Sequence, residues 1–294
     1  MARWYGGKLG SAGRKTRKAL GLLWQALVQF YDDNGFFLSS GITFNIFITL
    51  VPFIILLLAV VGSYLHNDQE VLGHMRAYLR SAAPAMDPGI MNSLMDVIER
   101  RQTIGIVGFA GLVWFSTWLF ASLRVALHIV LKVARPRGIV HAFGIDLLMV
   151  GAVGILFLMN VALSSFFAFL QSHQDWIQAF AGPAIRLTLR YLLPFFLTFC
   201  VFCLIYKVIP NEVVNLRSTL KVSLLTSLFW EAAKHLFAWY VSNIAEYSLF
   251  YSSLSTIIVF VLWIYYSSTI FVIGGELLYL LEKERKAQTA APAD

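Results

Sequence analysis

Charge is scarce in this chain of 294 residues: 13% are Asp, Glu, Lys or Arg, against 59% hydrophobic, and the mean hydropathy is +0.71. A water-soluble domain carries about a quarter charged residues, so this composition excludes that class and indicates a polytopic membrane protein. Cysteine is nearly absent. Cys200 and Cys203 lie inside an apolar run with no second cysteine pair, so no zinc or redox centre is expected. The six histidines (His66, His74, His128, His141, His173 and His235) are scattered. There is no GxxxxGK[ST], no HExxH and no cysteine–histidine zinc spacing. The acids outside the apolar runs, Asp32-Asp33, Glu212 and a few between 67 and 103, do not make the carboxylate cluster that two-metal phosphodiester cleavage needs. These absences argue against an enzyme, and no metal or cofactor is expected. The net charge of +7 is not a nucleic-acid signal, because Lys and Arg concentrate in particular loops, as membrane orientation requires. No cleavable signal peptide is expected: the start is basic and polar, and the first apolar run lacks a small-residue cleavage site.

What the chain has in abundance is long apolar runs. At ~1.5 Å per residue, about 20 residues cross a ~30 Å hydrocarbon core. The expected fold class is therefore all-α, a polytopic membrane helical bundle of about six transmembrane helices plus an external amphipathic helical hairpin. Residues 1–35 read as a cytoplasmic basic arm and interfacial helix. Arg3, Lys8, Arg14, Lys15, Arg17 and Lys18 come first, then Leu20, Leu23, Trp24, Leu27, Val28 and Tyr31 at helical spacing. Residues 36–281 read as the membrane domain. Its spans run from about Phe36 to Leu65, Ile104 to Val133, Val140 to Leu170, Ile185 to Ile209, Leu216 to Val241, and Leu254 to Leu281. Residues 67–103 read as the hairpin, broken at Pro84 to Gly89, with Asp87 and Pro88 starting its second helix. Residues 282–294 read as a disordered cytoplasmic tail. Lys and Arg recur in the arm, in 132–137, in 207–221 and in 283–286, while 171–183 and 243–253 hold none. That bias places both termini in the cytoplasm.

Against this background the charges inside the spans stand out. Glu231, Lys234 and His235 sit near the middle of the fifth span at i, i+3 and i+4, and so share one helix face. Charge at mid-membrane costs at least ~2.5–3.5 kcal/mol per residue and normally faces protein or trapped water with a partner. Arg124, Asp146 and Glu276 are expected at similar depths on three other spans, the arginine between two carboxylates. Asn45, in the small and polar first half of the first span, can hydrogen-bond a neighbouring helix. Two readings stay open. The set lines a polar column or groove for a solute, or it comprises separate ion pairs that lock helices.

Several stretches together resemble the YihY/BrkB family of inner-membrane proteins. They are Ser39-Ser40-Gly41-Ile42-Thr43-Phe44 leading to Thr49-Leu50-Val51-Pro52; Ser122 to His128; Ile209-Pro210-Asn211; Phe229-Trp230-Glu231-Ala232-Ala233-Lys234; and Gly274-Gly275-Glu276-Leu277. The resemblance runs in order along nearly the whole chain. The departures are His128, where the family often has Asn, Ser252, where Gly is usual, and Ser39-Ser40 in place of alanines. The resemblance implies a multi-pass protein of the bacterial inner membrane with about six spans. The family has carried the label ribonuclease BN, which the motif search does not support, and the label virulence factor, which names no mechanism. Movement of lipid or another amphiphile is the activity considered for relatives. Three functions follow as expectations: transport of a lipid or other amphiphilic or anionic solute, a non-catalytic scaffold, and, third, a ribonuclease. The expected partners are membrane lipids, a lipid or amphiphilic substrate, and further copies of the chain, with no nucleic acid.

The charge bias generates a prediction. A reporter fused after Lys283 will be active as a cytoplasmic fusion and silent as a periplasmic one; periplasmic activity alone would reverse the orientation.

Overall fold

The computed structural model describes residues 3–65, 101–133, 138–172, 192–210, 214–243 and 252–290. Among them every regular element is a helix: α1 (Arg3–Asp32), α2 (Gly35–Leu65), α3 (Arg101–Val130), α4 (Ile139–Ser172), α5 (Leu193–Val208), α6 (Leu216–Asn243) and α7 (Ser252–Ala290). Stretches within α2, α3, α4 and α7 are long and apolar enough to cross a membrane, and α5 is a shorter apolar helix. At 28 residues α6 has the length to cross, but Arg217, Lys221, Glu231 and Lys234 lower its hydropathy. The fourth expected span is described from 192 onward. The expected hairpin lies outside the described residues, except that Arg101 to Thr103 open α3.

Two expectations change at the ends of the chain. The basic arm is not separate from the helix after it, since α1 is continuous from Arg3. The supposed tail is helical to Ala290. Glu282 and Arg285 pair at i, i+3, and Glu, Lys, Arg and Ala are strong helix formers. At 39 residues, α7 is roughly 58 Å long by the helical rise, well beyond the hydrocarbon core.

The chain divides into two compact units, residues 1–43 with 120–294, and residues 44–119. In the smaller unit, α3 lies against α2 along a row of glycines. A Cβ on Gly105 would sit 3.5 Å from the Ala59 methyl, one on Gly108 3.2 Å from Ile55, and one on Gly111 3.4 Å from Pro52. Lipid tails are as apolar as leucine, so helices in a bilayer associate by close backbone approach, which small residues permit. The Thr49 hydroxyl donates to the Asn45 carbonyl at 2.7 Å and to the Phe115 carbonyl at 3.3 Å, tying the two helices.

In the larger unit α1 turns into α2 through Asp33 and Asn34. Asn34 takes φ 56°, a left-handed conformation that asparagine tolerates and that ends helices. A Cβ at Gly35 would strike the Phe30 ring, which packs edge-on against Phe36 at 4.9 Å. Helix α6 packs on both α5 and α7, α1 packs on α7, and α4 packs on α5. The face that α6 turns to its neighbours is built of hydroxyls and small residues: Thr219, Val222, Ser223, Thr226, Ser227 and Ala233 are buried. Its outer face carries Leu216, Leu220, Leu224, Leu228, Leu236 and Trp239, all exposed. This arrangement reverses that of a soluble helix and suits a bilayer.

Aromatic rings fill the space between α5, α6 and α7. Tyr206 is fully buried, stacked on Phe271 at 5.3 Å, and its hydroxyl donates to the Phe271 carbonyl at 2.7 Å. Phe202 meets Trp230, Trp230 meets Trp263, and Trp263 stacks on Phe237 at 4.7 Å. Gly274 on α7 makes room for the Tyr206 and Thr226 hydroxyls, where an added Cβ would collide with both. Gly274→Ala should therefore lower thermal stability in detergent by about 1–3 kcal/mol, the usual cost of overpacking. Gly151→Ala, where a Cβ meets nothing within 4 Å, should not destabilise.

Candidate functional site

The site residues fall into separate groups. Arg124 on α3 and Asp146 on α4 form one. Arg124 Nη2 is 3.0 Å from Asp146 Oδ2, with the carboxylate buried and the guanidinium nearly so. The pair locks α3 to α4 across two apolar helices. It does not include Glu276: the expected arginine between two carboxylates is an arginine paired with one.

Glu276 is the second group. It is fully buried, and neither carboxyl oxygen has a hydrogen-bond partner of ordinary geometry among the described residues. Its charged neighbours are Asp33, from the α1–α2 turn, Asp32, at the end of α1, and Lys132, at the end of α3. Lys132 takes φ 53° just past the helix end, while the Val133 N–H bonds the His128 carbonyl at 3.0 Å. This termination directs the chain so that Lys132 Nζ lies 3.5 Å from Asp33 Oδ2 and 5.1 Å from the centre of the Tyr279 ring. Gly275, the residue before Glu276, lies against Leu127 and Val130 of α3, at 3.2 Å for an added Cβ. The junction thus assembles one lysine, three carboxyls and an aromatic face from the end of α1 and the turn after it, the end of α3, and α7.

Glu231, Lys234 and His235 form the third group, and their placement corrects the expectation of an enclosed face. Lys234 Nζ is 2.7 Å from Glu231 Oε2, an ion pair without hydrogen-bond alignment, but the side chains are 37% and 31% exposed. His235 is 73% exposed and 3.8 Å from Glu231 Oε1. The reason is the reversed amphipathicity of α6. Its hydroxyl stripe faces protein, which leaves Glu231 beside the outer leucines Leu224 and Leu228. Asn45 belongs to the smaller unit, half-buried, where its carbonyl accepts the Thr49 hydroxyl.

A fourth polar group has no counterpart among the expected site residues. The Asn215 N–H donates to Glu282 Oε1 at 3.2 Å, and Asn215 Oδ1 caps α6 by accepting the Arg217 N–H at 2.9 Å. Glu282 Oε2 accepts from Arg285 Nε at 3.1 Å and Nη2 at 2.9 Å. Lys207 Nζ donates to the Val214 carbonyl, and Lys18 pairs with Glu284 at 3.0 Å. The readable signals were Asn215 ahead of a helix and the Glu–Arg spacing of 282 and 285. Asp33 and Lys132 lie too far apart in sequence for any local pattern to join them. Cys200 and Cys203, spaced as CxxC on α5, are free thiols. Among the described residues no group of three His, Cys, Asp or Glu is placed to hold a metal ion.

An all-α bundle with several spanning helices, hydroxyl-lined helix faces and buried ion pairs is an integral membrane protein. Residues 26–294 match the family model described as virulence factor BrkB, and the chain belongs to that family. It is 24% identical over 247 residues to a UPF0761 membrane protein of Histophilus somni (strain 129Pt), covering 83% of this chain and 84% of that one. Against a UPF0761 membrane protein of Pseudoalteromonas atlantica the identity is 23% over 257 residues, covering 87% and 84%. Against one of Chlorobium luteolum it is 28% over 285 residues, covering 92% and 64%. No solved structure matches the chain.

The burial difference between the two ion pairs predicts different couplings. Asp146→Ala should cost about 3–5 kcal/mol by orphaning Arg124, and Arg124→Ala with Asp146→Ala together should cost clearly less than the sum of the singles. The same cycle on Glu231 and Lys234 should show a smaller coupling. Melting of the purified variants in detergent measures both, and equal couplings would refute the difference.

Proposed function

We propose that the protein moves a lipid or another amphiphilic or anionic solute across the bacterial inner membrane, as a non-enzymatic transporter with both termini in the cytoplasm. The observation that carries this reading is Glu276. Burying a carboxyl without hydrogen bonds is costly, and ionisable residues inside membrane proteins are retained mainly along solute and proton pathways. Its open acceptor positions are ones that a solute hydroxyl or ammonium group, or a proton, would satisfy. The Lys and Arg bias of the loops supports the orientation, and the family match supports the membrane setting.

A scaffold role is the competing reading, and one observation favours it: in Arg124–Asp146 and Glu282–Arg285 each carboxylate is balanced by a guanidinium of the chain itself. Glu276 is what separates the two. Purified protein in liposomes should speed transbilayer movement of a fluorescent phospholipid, and Glu276→Gln should slow that movement at least about tenfold, equivalent to ~1.4 kcal/mol in the barrier. Unchanged movement in a normally folded Glu276→Gln protein would leave the scaffold reading. Metal-dependent RNA cleavage by the pure protein, lost on carboxylate substitution, would overturn the non-enzymatic one.

A further inference from the structure

Where α1, α6 and α7 come together, a cleft of about 560 Å³ opens with an unbalanced set of charges. Its charged lining is Lys18, Arg217, Lys221, Glu284 and Arg285. Glu284 is paired with Lys18, and Arg285 is committed to Glu282 through two hydrogen bonds. The Arg217 guanidinium and the Lys221 ammonium have no ion pair among the described residues, and both are exposed. They stand four apart on α6, on the same face of its first turns. Like charges at that spacing repel and destabilise a helix unless an anion lies between them. They also sit at the positive end of the α6 dipole, which adds to the attraction for an anion.

The chemistry of this anion follows from what surrounds the cleft. An uncommitted arginine and an uncommitted lysine suit a phosphate oxygen, and the guanidinium can grip it with two parallel hydrogen bonds. Leu22 and Leu281 form apolar parts of the wall. On α6, Leu216 and Leu220, next to Arg217 and Lys221, are exposed. A free phosphate compound gains nothing from such surfaces, whereas acyl chains do. We propose that this cleft binds the phosphate of an anionic phospholipid headgroup, with Arg217 and Lys221 as its main contacts and Lys18 beside them. The site would hold a resident lipid whether or not the protein transports one, so it does not depend on the transport reading.

The test measures binding and not movement. Full-length protein in detergent is titrated with phosphatidylglycerol and with phosphatidylcholine, and bound lipid is counted by native mass spectrometry. Phosphatidylglycerol should bind more tightly, and the preference should fall as salt is raised. Arg217→Gln and Lys221→Gln should each reduce the preference about fivefold, the loss expected for one basic residue near an anionic headgroup. Lys234→Gln, a cation outside the cleft, should leave it unchanged. If the neutral variants do not fold, the swap Arg217→Lys with Lys221→Arg keeps both charges and should retain the preference. No preference for phosphatidylglycerol, an equal loss in Lys234→Gln, or displacement of the lipid by an equal concentration of glycerol 1-phosphate would each overturn the assignment, the last by showing that a soluble phosphate compound is the ligand.

Discussion

Much of the larger unit depends on two adjacent positions of α7 having no side chain. At Gly274 the Tyr206 and Thr226 hydroxyls come close to the α7 backbone from α5 and α6; at Gly275, Leu127 and Val130 approach from α3. In a bilayer there is no water to drive helices together, so association depends on how closely their backbones can approach. Tyr206 shows the consequence. Its ring stacks on Phe271 and its hydroxyl reaches a main-chain carbonyl of α7 that the helix ladder does not need to itself. The same approach encloses Glu276, the next residue along, so the burial of that carboxyl is tied to the glycines before it.

Two kinds of charge then share one scaffold. Arg124–Asp146 and Glu282–Arg285 are charge-balanced: each carboxylate meets a guanidinium, which fixes α3 to α4 in the first case and the last turns of α7 to themselves in the second. Such pairs are weak evidence for function, because they are what a low-dielectric interior demands of any charge it contains. Glu276, Lys132 and Asp33 are open. The carboxyls are near one lysine that is itself half-exposed, and Glu276 has no hydrogen-bond partner of ordinary geometry among the described residues. Arg217 and Lys221 are open in the other sense, two cations with no ion-pair partner among the described residues. The open groups sit where the surroundings differ: the first at a junction of three helices, the second in a cleft bordered by apolar surface. That difference is why the first carries the proposal of solute movement and the second the proposal of a bound lipid.

The outward face of α6 explains why Glu231 and Lys234 weigh less than their position near the middle of an apolar run suggests. Counting residues along the run places them at mid-membrane. Only the side of the helix they occupy tells whether protein surrounds them, and hydroxyls, not leucines, mark the protein-facing side of α6. With the pair at the border of the leucine stripe, its two members meet each other before they meet a neighbour.

Composition and periodicity alone determined the class of this protein. Low charge and long apolar runs leave an all-helical membrane bundle as the only economical way to satisfy the backbone in lipid. The Gly274-Gly275-Glu276 run was legible as a local stretch that carries the family resemblance. The charge partnerships were not. Asp33 with Lys132, Arg124 with Asp146 alone, and Asn215 with Glu282 join residues tens of positions apart, and which of several available opposite charges becomes the partner depends on helix rotation. That rotation is set by where small residues let helices touch, a property of pairs of helices that only the tertiary structure decides.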